Sequence, residues 1–178
     1  MSLIKVVPGK YDNCDALKKT FDYCTKKIYD GEGCKYWDGA GICSYSTDSA
    51  VFDMIQVKYY HGKMDKKQLH HFVIHLKRKE IDDYCEYGSY GMKYDKRNDQ
   101  GFDTVIGLET CEIIYNLGYQ NAFFLHEDSS CYHIHFILNS VNFITGAKLD
   151  SINHVVNKVF YYLKGQYRFL NFENIIYC

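Results

Sequence analysis

The sequence predicts an α+β fold: a central antiparallel sheet with helices packed on one face. Three observations carry that reading. Stretches of period two and stretches of period three to four are mixed along the chain, without the strict alternation that a parallel sheet requires. Two apolar strand-like segments, Asn121 to His126 and Tyr132 to Asn139, are separated only by a short polar gap, which makes a hairpin and therefore an antiparallel pair. Finally, alternation within the strands gathers Phe72, Ile74, Leu76, Phe123, Leu125, Ile134, Phe136 and Leu138 onto one face, a surface for helices to cover.

Element by element, Leu3-Ile4-Lys5-Val6-Val7 reads as an opening strand, stopped by Pro8-Gly9. From Asn13 the period becomes helical, with Leu17, Phe21, Cys24 and Ile28 on one stripe, Asn13 as N-cap and Gly31 beyond the end. Tyr23 lies off that stripe. The glycine-rich residues 31–46 form a loop with a short strand at Ile42 to Tyr45. A second helix runs from Thr47 or Asp48 to Tyr60, closed by Gly62, with Val51, Met54 and Ile55 inward. Leu69 to Lys77 alternates as a strand, with His71, Val73 and His75 opposite Phe72, Ile74 and Leu76. Residues 80–100 are polar and aperiodic, which predicts a mobile loop. A helix from Thr104 to Asn116 turns Val105, Leu108, Cys111 and Ile114 inward and stops at Gly118. After the hairpin come a turn at Thr145-Gly146, a helix from Asp150 or Ser151 to Lys164 ended by Gly165, and an edge strand at Asn174 to Tyr177.

With 178 residues, 47% of them hydrophobic, the chain has material for one well-buried core, and no linker or repeat divides it. The expectation is one domain over residues 1–178, either a whole protein or the N-terminal domain of a longer one. No apolar run approaches the roughly 20 residues that span a bilayer, and no signal-peptide pattern opens the chain. The expected setting is the cytoplasm, with no membrane partner. Eight cysteines without a Cys-x-x-Cys pair read as free thiols, excluding a disulfide framework or a zinc ribbon. A net charge of −1 argues against a broadly basic nucleic-acid surface, although Lys63 to Lys67, Lys77 to Lys79 and Lys93 to Arg97 are locally basic. The 18 tyrosines are material for stacking on bases and equally a compositional bias.

The chemistry concentrates in His126-Glu127-Asp128 and, after a short gap, Tyr132-His133-Ile134-His135. On a strand His133 and His135 share a face, and a hairpin returns His126 opposite them. The outcome is three imidazole nitrogens on one surface. Neutral imidazole is a common ligand for divalent metals, and three histidines leave coordination positions open, as catalysis requires. His71 and His75 join them if their strand enters the same sheet, giving an open sheet face lined with histidines.

These residues resemble a known group, the MobP-type relaxases or mobilisation nucleases of the His-hydrophobic-His endonuclease superfamily. The match runs through His126-Glu127-Asp128, His133-Ile134-His135, Asn139-Ser140-Val141-Asn142 and Thr145-Gly146, where the family has His-Thr-Asp, His-x-His, Asn-Ser-Val-Asn and Thr-Gly-Lys. It extends to Ala16 to Tyr23, similar to the family's helix bearing its nucleophilic tyrosine, and to His71 to His75. Glu127 stands where threonine is usual, His75 where serine is usual, and Cys131 where a further histidine often stands.

The resemblance implies a DNA relaxase, which nicks and rejoins one strand at a transfer origin through a 5′-phosphotyrosine, for plasmid or mobile-element mobilisation. It implies Tyr23 as nucleophile, with Tyr11 and Tyr29 as nearby rivals, and His126, His133 and His135 as metal ligands. Asp128 is either an acid orienting an imidazole or a turn residue. His71 contacts phosphate, moves the tyrosine's proton, or is structural. Asn139 and Asn142 position DNA or cap the next turn. The implied cofactor is a divalent ion, Mg or Mn for catalysis, with Zn, Co or Ni as other occupants of an imidazole set. The implied partners are single-stranded or locally melted DNA at the origin and accessory relaxosome proteins. A rolling-circle replication initiator and a non-catalytic DNA-binding relaxase derivative are the alternative readings.

Overall fold

Alternation of apolar residues makes the strands, and their pairing makes a six-stranded sheet. In the computed structural model, which describes residues 2–26, 34–87, 101–127 and 130–177 (side chains of Lys26 and of residues 84–87 excepted), the strands are β1 (Leu3–Val6), β2 (Tyr36–Ala40), β3 (Leu69–Lys77), β4 (Asn121–Glu127), β5 (Cys131–Asn139) and β6 (Asn174–Tyr177). Their order is β2-β4-β5-β3-β1-β6. Every pairing is antiparallel except that of the edge strand β6, which runs parallel to β1. The helices are α1 (Ala16–Lys26), α2 (Thr47–Tyr60), α3 (Arg78–Tyr87), α4 (Phe102–Asn116) and α5 (Asn153–Gln166). The α+β class and the central sheet are as the sequence predicts.

One face is the expected apolar one. Ile4, Phe72, Ile74, Leu76, Phe123, Leu125, Ile134, Phe136 and Leu138 are buried there against Ile106, Cys111 and Ile114 of α4 and Val155, Val156, Val159 and Leu163 of α5. Each such side chain contributes roughly 1.5–3 kcal/mol of burial. The inward face of α4 is rotated from the predicted one, leaving Leu108 exposed. Gly107 is the reason. A Cβ there would stand 2.4 Å from the Phe123 ring, so the bare helix backbone rests directly on β4 and sets the rotation.

Helices cover the other face too, at one end. Leu17, Phe21 and Cys24 of α1 and Ala50, Val51 and Met54 of α2 pack on Leu69, Ala122, Phe124 and Ile137, with Phe21 edge-on to Phe124. Those four sheet residues share the histidine-bearing face, so that face is not open as predicted but roofed where it is apolar. The amphipathic stripe of α1 needs such a partner.

Other boundaries differ from expectation. The short strand is Tyr36–Ala40, not Ile42 to Tyr45: Trp37 stacks on Phe124, and Gly39 lets the chain approach the Asn121 carbonyl, where a Cβ would come within 2.3 Å. Part of the predicted mobile loop is α3, docked through buried Ile81; residues 88–100 lie outside those described. Helix α2 is capped by Ser46, whose side chain accepts from the Ser49 N–H at 3.1 Å. Helix α5 begins at Asn153, after Ser151 accepts from the Asn153 N–H, and runs through Gly165 to Gln166. Cys14, Cys24, Cys34, Cys43, Cys111 and Cys131 are free thiols, and among the described residues no helix is long and apolar enough to cross a membrane.

Candidate active site

Register places the histidines. His126 of β4 pairs with His133 of β5, which pairs on its other side with His75 of β3, so three histidines form a row across the three central strands. The neighbouring row has Phe124, His135 and Val73. All six face the same way as His71. The rings meet diagonally as well as along the row: His126 and His135 centroids are 4.7 Å apart, His75 and His133 4.6 Å, and His71 and His135 5.2 Å. His71 Nε2 lies 3.0 Å from His135 Nδ1.

Helix α1 lies over this cluster. Cys24 sits in the last described turn of α1. Its carbonyl accepts a hydrogen bond from His126 Nε2–H at 2.8 Å. With the proton on Nε2, the lone pair of a neutral ring is on Nδ1. The Cys24 thiol points the same way: Cys24, His71 and His135 each offer a ligand atom, and all three lie within 4.8 Å of one another. Tyr23, the preceding residue, is 58% exposed. Tyr11, on the loop before α1, brings its hydroxyl 3.4 Å from His71 Nδ1.

Burial governs the electrostatics. It pushes His135 down to about 2, helped by the surrounding histidines His71, His126, His133 and His75. It pushes His71 down to about 4, helped by His126. Both rings are therefore neutral near pH 7 and have lone pairs to give. Burial, with Cys34 nearby, drives the Cys24 thiol up to about 12, and it raises the Tyr11 phenol, to which Cys24 and Tyr23 add. A crowd of imidazoles that cannot all carry protons, with a thiol among them, fits a divalent cation.

Beside His71 a cavity of about 240 Å³ is bordered by Pro8, Tyr11, Lys67 and Asp150. A second, of about 550 Å³, is bordered by Asp12, Lys66, Lys67, Lys148 and Asp150. Lys67 lines both. Lys148 Nζ is buried, 3.7 Å from Asp65, and among the described residues makes no hydrogen bond. Positive charge is thus local to this flank in a chain of net charge −1.

The expected residues are placed unevenly. His126 and His135 adjoin each other and α1, whereas the His133 ring packs against His75 and is outside the tight Cys24-His71-His135 group. Asp128 and Tyr29 lie outside the described residues. Cys131 begins β5 opposite Lys77. Glu127 is on the opposite face from the histidines, ion-paired with Lys35 and Arg78, so that departure from the family pattern leaves the histidine face unaltered. Asn139 and Asn142 bind the protein's own backbone. Asn139 donates to the Met54 carbonyl and to Gln120 Oε1, and Asn142 accepts from the Ile144 and Thr145 N–H groups while donating to the Leu117 carbonyl. Cys24 and Lys148 are what the pattern of the chain did not single out, whereas Lys66 and Lys67 belong to its basic run Lys63 to Lys67. On the helical stripe Cys24 looks like one more apolar residue.

The family model for Relaxase, the MobA/VirD2-like nuclease domain, matches residues 23–159. That stretch begins at Tyr23 and takes in His71, His126, His133, His135 and the first half of α5. No curated protein and no solved structure matches the chain. The matched segment is most of the chain and contains both Tyr23 and the histidine face, so the protein belongs to the relaxase family, as a MobA/VirD2-like nuclease domain, and is a DNA-nicking enzyme.

Proposed function

We propose that the protein nicks and rejoins one DNA strand at a transfer origin through Tyr23, with His126, His133 and His135 holding a divalent ion. Its role is the mobilisation of a plasmid or related element in the cytoplasm, alongside accessory relaxosome proteins. The observation that supports this reading best is the hydrogen bond from His126 to the Cys24 carbonyl, which seats the turn of α1 carrying Tyr23 against the histidine face. A divalent ion there supplies Lewis acidity to a non-bridging phosphate oxygen, Mg or Mn being the working ions and Zn, Co or Ni alternative occupants.

The chain's residues supply the rest. Tyr23 is exposed, so its phenol reaches DNA that cannot enter the core. The Tyr23 oxygen loses its proton and attacks phosphorus. The bond to the 3′ oxygen breaks, that oxygen takes a proton, and the 5′ phosphate stays on Tyr23. Reversal by a 3′ hydroxyl rejoins the strand without ATP. His71 is neutral and in contact with the Tyr11 hydroxyl, a route by which the tyrosine's proton leaves. Lys66 and Lys67 meet the flanking phosphates of single-stranded or locally melted DNA.

The test is covalent capture. Single-stranded oligonucleotides tiled across DNA flanking the protein's own coding sequence are incubated with protein and Mg or Mn, and adducts are resolved on denaturing gels. The wild type forms one adduct with one sequence, and Tyr23→Phe forms none. An adduct that survives Tyr23→Phe assigns the nucleophile elsewhere.

A further inference from the structure

The geometry points to Cys24 as a metal ligand: its thiolate joins His71 and His135 around a borderline divalent ion, Zn or Co in class, and ties the helix carrying Tyr23 to the centre. The inference rests on the metal centre proposed above, sharing His135 with it and taking Cys24 from α1 and His71 from β3 as the other donors. Three features carry it. The Sγ of Cys24 and the nitrogens of His71 and His135 lie within 4.8 Å of one another, and two of the three are already 3.0 Å apart. Tetrahedral zinc, with bonds of about 2.0–2.1 Å to nitrogen and 2.3 Å to sulfur, holds its donors roughly 3.3–3.7 Å apart, so closing the set takes shifts of about an ångström.

The second feature is position. Among the described residues Cys24 is the last buried one of the α1 stripe, following Leu17 and Phe21 and lying against the histidines. Packing alone is served there by any small apolar side chain. The third is the donor set. Two neutral imidazoles and one thiol match zinc and cobalt, whereas Mg takes oxygen ligands. On binding, the ion displaces the thiol proton to solvent and replaces the hydrogen bond between His71 and His135. Because His135 also belongs to the His126-His133-His135 set, one ion at a time occupies the centre.

Titration with Co(II) tests this, because a thiolate ligand gives a near-ultraviolet sulfur-to-cobalt charge-transfer band that imidazoles do not. The wild type shows the band. Cys24→Ser lacks it and binds Zn at least about 10–100-fold more weakly, a range that losing a group that merely orients a ligand already reaches. Cys24→Val, apolar and close in size, controls for packing: it melts like the wild type and still lacks the band. A band that persists in both variants overturns the proposal, since another of the free thiols then supplies it. Cobalt binding without the band, lost in His133→Ala, overturns Cys24 and leaves the histidine centre standing. A band insensitive to His126→Ala and His133→Ala keeps Cys24 and overturns the three-histidine set. No cobalt binding overturns both.

Discussion

His126 Nε2 and the backbone oxygen of Cys24 are 2.8 Å apart, joining residues 102 positions apart in the chain. The bond runs from a β4 side chain to an α1 backbone carbonyl, so it seats the helix on the sheet. His126→Ala removes the donor from a buried acceptor, at a cost of about 1–3 kcal/mol. The expected result is a lower melting temperature and faster amide exchange across residues 16–26. His133→Ala, whose ring packs on His75 instead, leaves exchange in α1 unchanged. Equal loosening of α1 in the two variants would contradict the seating role of His126.

Tyr11 and Tyr23 are both near the histidines, yet their surroundings assign them different work. Burial raises the Tyr11 phenol, making its phenolate harder to form, and its hydroxyl is already engaged with His71. Tyr23 is exposed. Tyr11→Phe is expected to keep the DNA adduct and slow its formation by up to about tenfold, the kinetic equivalent of one ordinary hydrogen bond. Single-turnover adduct kinetics measure this. Loss of the adduct in Tyr11→Phe with retention in Tyr23→Phe reverses the assignment.

The contrast between His133 and Cys24 explains how far the chain could be read. The pairing of His126 with His133 follows from local rules, since a seven-residue spacing and a short turn leave one register that keeps Phe123, Leu125, Ile134 and Phe136 in the core. The strand Leu69–Lys77 was legible to the residue for the same reason. Cys24 was not, because its role comes from docking α1 onto a face that alternation assigns to the histidines, and Leu69, Ala122, Phe124 and Ile137 are what mark that face as half apolar. Gly39 and Gly107 misled for a related cause: each sits where bare backbone touches another strand or ring, a tertiary contact without a periodic trace.

Asn142 resembles a DNA-positioning residue by family pattern, but its side chain is used within the protein. Its Oδ1 accepts two backbone N–H groups of the turn through Thr145, and its Nδ2 donates to the Leu117 carbonyl. Gly118, at φ +90°, leaves room for it, where a Cβ would stand 2.3 Å from Nδ2. Asn142→Ala is expected to cost about 2–4 kcal/mol in chemical denaturation, from three lost bonds at a buried site. DNA affinity per folded molecule stays within about twofold of wild type, a shift of under ~0.5 kcal/mol. Full stability with weakened DNA binding would restore the positioning role.

Lys58 is a charge-bearing residue with no exposed surface, its Nζ donating to the Gln68 carbonyl at 2.6 Å. Burial first, then the nearby Lys148, pushes it down to about 7 from 10.5. A lowered lysine value means that the unfolded chain binds more protons than the fold between pH 7 and 10.5, so stability rises with pH across that window and the full cost remains below it. From pH 6 to pH 9 this one group adds roughly 2–3 kcal/mol of stability. Lys58→Met removes the titration and leaves the Gln68 carbonyl without that donor. The variant is therefore expected to be more stable than wild type at pH 6 and to lose that advantage by pH 9. Denaturation midpoints measured in parallel at the two pH values check the sign, and an advantage that is the same at both would show that Lys58 is held in the fold as the ammonium.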